Sequence, residues 1–206
     1  MTDATPIIDP AHDPIRFLHR HFAGVVTADD VILPRNFVID PLSGEIVASL
    51  PPSVEEAESV VLHVPDESRT SLQLMVRCRS LDAARDASCD RLLIYHGRAE
   101  GAKFASMRPI DAKWEAREVK IENFLTANPL AAAEPRLCRL LNADAVLLAT
   151  LVMKLTGRET IEPKAVGVDD VGMDVRTRTG VVRAEFADRL IPQEAVATIE
   201  AWVRKP

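Results

Sequence analysis

From Phe22 to Ile121 the chain places its apolar residues in short runs, and turn signals end most of them. This pattern constrains the fold most strongly. Runs this short, bounded by Pro, Gly, Asp and Ser, predict strands of an antiparallel sheet or barrel. Phe22 to Thr27 is followed by the acidic pair Asp29-Asp30, a turn signal. Val31 to Asp40 is extended, and Pro34 marks an edge, bulge or break. The turn Pro41 to Gly44 leads into Glu45 to Leu50, which predicts a hairpin. Ser59 to Val64 is nearly all apolar, as expected of a strand covered on both faces. Ser71 to Leu81 alternates most clearly. Leu72, Leu74, Val76 and Cys78 share one face, and Gln73, Arg77 and Arg79 share the other with Met75. Arg91 to His96, Lys103 to Arg108 and Trp114 to Ile121 are expected as further strands. Ile15 to Phe22 reads as a short helix or the approach to the first strand, and Ser53 to Glu58 as a short helical piece.

The pattern changes at Asn128-Pro129, a helix cap followed by a first-turn proline. From Leu137 to Leu155 apolar residues recur at helical spacing, and Gly157 is the stop. Three short strands follow, Ala165 to Val168, Met173 to Thr177 and Val181 to Phe186, before a last helix opened by Pro192. Strands first, then helix, strands and helix, make an α+β protein. The expected division is an arm over 1–14, a barrel over 15–127 and a small α/β domain over 128–206.

Charge and composition remove several function classes. The 206 residues carry 25 basic and 31 acidic side chains, a net charge of -6. Nucleic-acid binders need a basic face, so nucleic acid and anionic membranes are not expected partners. Aromatic residues are only 4%, which leaves little surface for stacking on bases. Cys78, Cys89 and Cys138 have no CxxC spacing, so neither a disulfide framework nor a cysteine zinc site is expected. No apolar leader appears before Pro14, and the apolar stretch at 145–152 is too short for a membrane span. A cytoplasmic protein is expected. No P-loop, GxGxxG or Ser-His-Asp ordering is present, so whether the chain is an enzyme stays open.

The run Ala165 to Val175, followed by Val181 to Phe186, resembles the small C-terminal domain of haem-utilisation proteins. In that family the domain follows an FMN-binding split barrel of the pyridoxamine 5'-phosphate oxidase-like type. Its helix carries Asn-x-Asp-His; here Asn142-Ala143-Asp144 matches, and Ala145 stands in the histidine's place. Pro34-Arg35 with Val38 and Asp40, Gly44 to Ser49, Val60 to Val64 and Ser71 to Arg79 follow the barrel's order. The resemblance implies a split β-barrel with a small α/β domain, a homodimer, and FMN at the subunit interface; an FMN-binding protein, with the flavin-dependent oxidoreductase activity of that class, is the first reading. Two departures oppose a cofactor. Where the relatives supply a serine and a basic residue for the flavin phosphate, Ser53 to Glu58 carries Glu55, Glu56 and Glu58 and no cation. The relatives ligate iron with a C-terminal histidine, but this chain has none after His96. A cofactor-free dimeric scaffold or regulatory module is therefore the second reading. A haem-binding or haem-utilisation protein is the third.

For FMN, the resemblance points to Arg35, whose planar fork suits a phosphate. Arg69, Thr70 and Ser71 at the mouth of the long strand add one cation and two hydroxyls. For haem, the candidate ligands are His63 and His96, since neutral imidazole binds iron. Arg77 and Arg79, on one strand face, suit an anion or structural ion pairs. His19 and His21, with His12 nearby, have i, i+2 spacing that brings two rings to one metal on a strand. Their bland reading is surface histidines. Cys138 reads as a small core hydrophobe. The three glutamates read as a solvated helix face, and Asn142 and Asp144 as structural residues.

Overall fold

The computed structural model describes residues 13–99, 103–115 and 117–204. The arm over 1–12, His12 included, lies outside them. Seven strands form the first sheet: β1 (Ala23–Ala28), β2 (Val31–Ile39), β3 (Ile46–Leu50), β4 (Val60–Val64), β5 (Leu72–Ser80), β6 (Lys103–Trp114) and β7 (Arg117–Glu118). Their order is β3-β2-β1-β4-β5-β6-β7. Because β6 also pairs with β3, the first six strands close into an antiparallel barrel. The β1–β2 hairpin turns on two residues, with Asp29 in the left-handed region at φ 48. Alternation puts Val26, Leu62, Leu72, Leu74 and Met107 in the barrel interior, each fully buried. Closure pairs β3 with β6 and so covers the edge that β3 would otherwise present.

The second sheet has three antiparallel strands in the order β10-β9-β8: β8 (Lys164–Val168), β9 (Gly172–Thr177) and β10 (Gly180–Glu185). Helices α4 (Glu134–Leu141), α5 (Ala145–Thr156) and α6 (Ala195–Arg204) pack on it around Leu137, Leu148, Met173 and Ile199. Three further helices pack on the barrel: α1 (Pro14–His19), α2 (Pro52–Glu55) and α3 (Ala87–His96). A third apolar cluster joins the two halves. Val38 and Val47, on the outside of β2 and β3, meet Leu92 and Tyr95 of α3 and Val166 of β8. Among the described residues, no helix is long and apolar enough to cross a membrane. The α+β expectation and the barrel both hold.

Four expected elements differ. Asn128-Pro129 opens a run of turns rather than a helix, and α4 starts only at Glu134. Arg91 to His96 is the second half of α3, not a strand. Cys89, Leu92 and Tyr95 fall on one buried face at three-residue spacing, and Gly97 ends the helix at φ 76. The unbroken apolar run imitated a buried strand. Trp114 to Ile121 is not one strand. β6 runs through to Trp114, Glu115 turns at φ 51, and only Arg117–Glu118 pairs back. The helical pattern from Leu137 to Leu155 is two helices broken at Asn142 to Asp144.

That break explains two residues. Asp144 caps α5, accepting from the amides of Val146 (2.9 Å) and Leu147 (3.0 Å). Asn142 bridges to the start of β8, donating to the Ala165 carbonyl and accepting from the Ala165 amide, both at 2.8 Å. Asn142→Leu removes both partners of one strand residue. It should destabilise the protein by about 2 kcal/mol in chemical denaturation, against about 1 kcal/mol for Asp144→Ala.

Candidate functional sites

Two places bring chemistry-bearing side chains together. The first is the outer face of the barrel at β1, β4 and β5. Along β4, Val60, Leu62 and Val64 are buried, while Val61 and His63 alternate to the outside. Register sets His63 opposite Val25 on β1 and Gln73 on β5, and Val61 opposite Met75. Helix α3 and the second sheet cover the outside at β2 and β3 instead. Met75 is 40% exposed and Ile32, on β2, 62% exposed. His63 Nε2 lies 3.2 Å from the Thr27 hydroxyl, and its Nδ1 is buried with no hydrogen-bond partner. Burial lowers the imidazole pKa, only partly offset by the charge of Glu67. His63 is therefore neutral at pH 7.

The other residues singled out by sequence lie apart from one another. His96, at the end of α3, shares a 3.0 Å hydrogen bond between its Nε2 and the Phe37 carbonyl. That bond pins α3 to β2. Arg35 sits on β2 opposite Gly24, donates to the Pro34 carbonyl at 2.8 Å, and keeps a buried Nε without a partner. Arg69 and Thr70 are exposed on the β4–β5 turn. Ser71 is buried, and its hydroxyl donates to the Ser68 carbonyl at 2.6 Å within that turn. Strands β1 and β4 stand between Arg35 and the turn in the sheet order. Arg77 and Arg79 are exposed on β5, opposite Arg108 and Ser106. Arg108 and Ser106 both bind Glu45. Burial raises the Glu45 pKa, but these two partners outweigh it and hold the carboxyl below its usual range.

Glu55 of α2 accepts from the Ser80 hydroxyl at 2.5 Å, with Glu56 and Glu58 exposed beyond it. A flavin phosphate does not fit beside these three carboxylates. Cys138 packs against the second core, where burial pushes its thiol up to about 12. His21 stacks on Phe17, and its Nδ1 lies 2.7 Å from the Phe17 carbonyl. The described residues contain no group of three or more His, Cys, Asp or Glu placed to hold a metal ion.

The second place is the seam between barrel and second sheet, where sequence reading named only His19. Arg183 of β10 is 4% exposed at its side chain. One terminal nitrogen donates to both Asp169 oxygens at 2.6 Å, and the other to Asp174 at 2.9 Å. Asp174 accepts from the Tyr95 hydroxyl at 2.8 Å. Tyr95 accepts from Arg91 at 2.6 Å. Arg91 grips Glu134 through two nitrogens at 2.9 and 3.0 Å, and Glu134 accepts from the Val168 amide at 3.0 Å. Asp169 also receives the amides of Val171 and Gly172 and lies 3.3 Å from His19 Nδ1. Beside it, Arg20 pairs with Glu185 at 2.7 and 2.8 Å. The chain runs from α1 through the second sheet to α3 and α4. It walls a cleft of about 350 Å³.

Burial would raise the Asp169 pKa. Arg183 first, and His19 with it, reverse this and hold the carboxyl far below the usual range. Desolvation and the charge of Asp174 push the Tyr95 hydroxyl well up, so it stays a donor. Gly167 allows the packing, because a Cβ there would overlap the Tyr95 hydroxyl. No sequence motif announces this chain of bonds. Its partners are up to 150 residues apart.

No protein-family model and no curated protein sequence matches this chain. Among solved structures it is similar to the protein Atu2129 of unknown function from Agrobacterium tumefaciens. The TM-score is 0.71 at 19% identity, covering 98% of this chain and 100% of that one. That likeness shows the fold. A heme binding protein from Mycobacterium smegmatis also aligns, with TM-score 0.42, 16% identity and 98% and 100% coverage. A likeness that slight carries no argument about ligand. The closed barrel and the Atu2129 likeness fit a split-barrel fold.

Asp169 has a depressed pKa when folded, so its stabilisation is present above the unfolded carboxyl pKa of about 3.9 and fades as pH falls below it. Asp169→Asn should cost about 3–5 kcal/mol at pH 7, because buried Arg183 loses half its compensation. The variant's stability should also fall less steeply between pH 5 and 3, measured by urea titration at each pH. Gly167→Ala should destabilise by about 2 kcal/mol or more, and Tyr95→Phe in the same chain should recover part of that loss.

Proposed function

We propose that this chain is a haem-binding split-barrel protein, with His63 as the iron ligand on the outer face of β1, β4 and β5. One observation carries the reading: a neutral, half-buried imidazole set among Val25, Val61 and Met75 on a sheet face, with Nδ1 buried and Nε2 held by the rotatable hydroxyl of Thr27. A porphyrin needs an apolar platform, a neutral nitrogen donor and cations for its propionates. Arg77, one step along β5 on the same side as Met75, supplies the nearest candidate cation. When bound, haem supplies the iron chemistry; the protein supplies the ligand, the platform and the exclusion of water on one side. His96 is the weaker candidate because its Nε2 is engaged with the Phe37 carbonyl, a fixed backbone acceptor, whereas the Thr27 hydroxyl beside His63 can rotate away.

The resemblance to haem-utilisation proteins, read from Asn142 to Asp144 and Ala165 to Phe186, supports the same class. So does the homodimer it implies. A second copy laid on the exposed Ile32 and Met75 would cover the other side of the porphyrin. The flavin reading has less behind it, since Arg35 and Ser71 are engaged locally and α2 repels a phosphate.

Haemin titrated into the protein should give a saturable Soret band. His63→Ala should weaken binding by at least about tenfold, and His96→Gln should leave it within about threefold. A low imidazole pKa keeps the ligand nitrogen free of protons, so binding should persist below pH 6.5. No Soret shift, or one indifferent to His63→Ala, would reject the assignment. FMN added in parallel should leave the protein colourless after desalting.

A further inference from the structure

We infer that a cavity between α5 and α6 is a ligand site, independent of the haem reading, and that it takes an uncharged aliphatic chain of the medium-chain alcohol class. Helix α6 packs closely on α4 rather than on α5, and the gap left between α5 and α6 has a volume of about 490 Å³. That falls within the size range of small-molecule pockets. Leu148 and Val152 of α5 are buried in the second core. The neighbouring row on the same helix, Leu147, Leu151 and Leu155 at i, i+4 and i+8, is half-buried and lines the gap. Trp202 and Val203 of α6, also half-buried, line it from the other side. Phe186, tilted against Trp202 with ring centroids 5.1 Å apart, is part of the same wall. Protein interiors pack as densely as organic crystals, so a gap of this size between two apolar helix faces suits an apolar occupant.

The ligand class follows from the lining. Its apolar side chains are mainly leucine, and the row from Leu147 to Leu155 rises about 12 Å along the helix, which suits an extended chain over a compact ring. Four charged residues line the cavity: Lys154 and Arg189, Asp188 and Glu194. All four are exposed, so their charges stand in water at the mouth. Asp170 already holds Arg189 at 2.9 Å. A carboxylate head group would meet Lys154 but also both Asp188 and Glu194; an ammonium head would meet those acids but also Lys154 and Arg189. Neither sign gains from the mouth, and either ion loses hydration there. A hydroxyl avoids both repulsions and keeps its hydrogen bonds to water, while its chain enters along the leucine row.

The test titrates 1-butanol, 1-hexanol and 1-octanol into the full-length protein, with octanoate and octylammonium as charged counterparts. The readout is the indole ¹H–¹⁵N signals of its two tryptophans. Trp202, which lines the cavity, should shift saturably, and Trp114, packed on the barrel core, should not. Each added CH₂ in the alcohol series should tighten binding about threefold to fourfold. 1-Octanol should bind at least about threefold tighter than either charged octyl compound. Leu151→Phe and Val203→Phe, which fill the cavity from opposite helices at half-buried positions, should each weaken 1-octanol binding at least about fivefold. An unchanged Trp114 signal marks each variant as folded, and one folded variant suffices. No saturable Trp202 shift, affinity indifferent to chain length, a charged octyl compound that binds as tightly as 1-octanol, or wild-type affinity in a folded filled variant would each overturn the inference.

Discussion

Arg183 is the constraint on which the two halves of the molecule depend. A guanidinium cannot shed its proton, so at 4% exposure it must be matched by fixed negative charge. Asp169 and Asp174 supply that charge, and each is tied to an element of the barrel. Asp169 reaches α1 through His19, and Asp174 reaches α3 through Tyr95. This buried cation and its two carboxylates, with the Arg91–Glu134 pair and the apolar cluster around Val166, hold the second sheet against the barrel. Gly167 and Gly172 serve the same cluster, since a side chain at either would strike Tyr95 or Arg183. Such a network adds little net stability over an apolar core. It is costly to break singly, so it fixes one docking geometry.

That geometry also divides the outer surface of the barrel. At β2 and β3 it is sealed by α3 and Val166. At β1, β4 and β5 it keeps His63 among half-exposed apolar side chains. The seam itself retains a cleft with His19 at its polar side.

The strands of the barrel were legible because alternation and turn residues act locally. Leu72, Leu74 and Val76 show their face in any register, and Asp29-Asp30 or Pro41 to Gly44 show the turns. Tyr95 and its neighbours were not legible, because a four-residue apolar run satisfies a buried strand and a helix face equally well. The break at Asn142 was hidden for the opposite reason. Its apolar spacing continues across the gap, and only the partner strand at Ala165 shows why the helix stops. Of the candidate site, His63 and His96 were visible as histidines in apolar runs. Nothing in the sequence distinguished the one bonded to a carbonyl from the one with an unpartnered nitrogen. The seam network lay beyond sequence reading altogether, since His19, Tyr95, Glu134 and Arg183 meet only after the two sheets dock.

The most direct measurement is a set of imidazole ¹H–¹⁵N correlation spectra, recorded while gallium protoporphyrin IX is added as a diamagnetic haem substitute. The account predicts that the His63 ring nitrogens move by tens of ppm as one becomes metal-bound, while those of His96 keep their hydrogen-bonded positions. Unchanged His63 signals under saturating porphyrin, or a shift centred on another histidine, would contradict it.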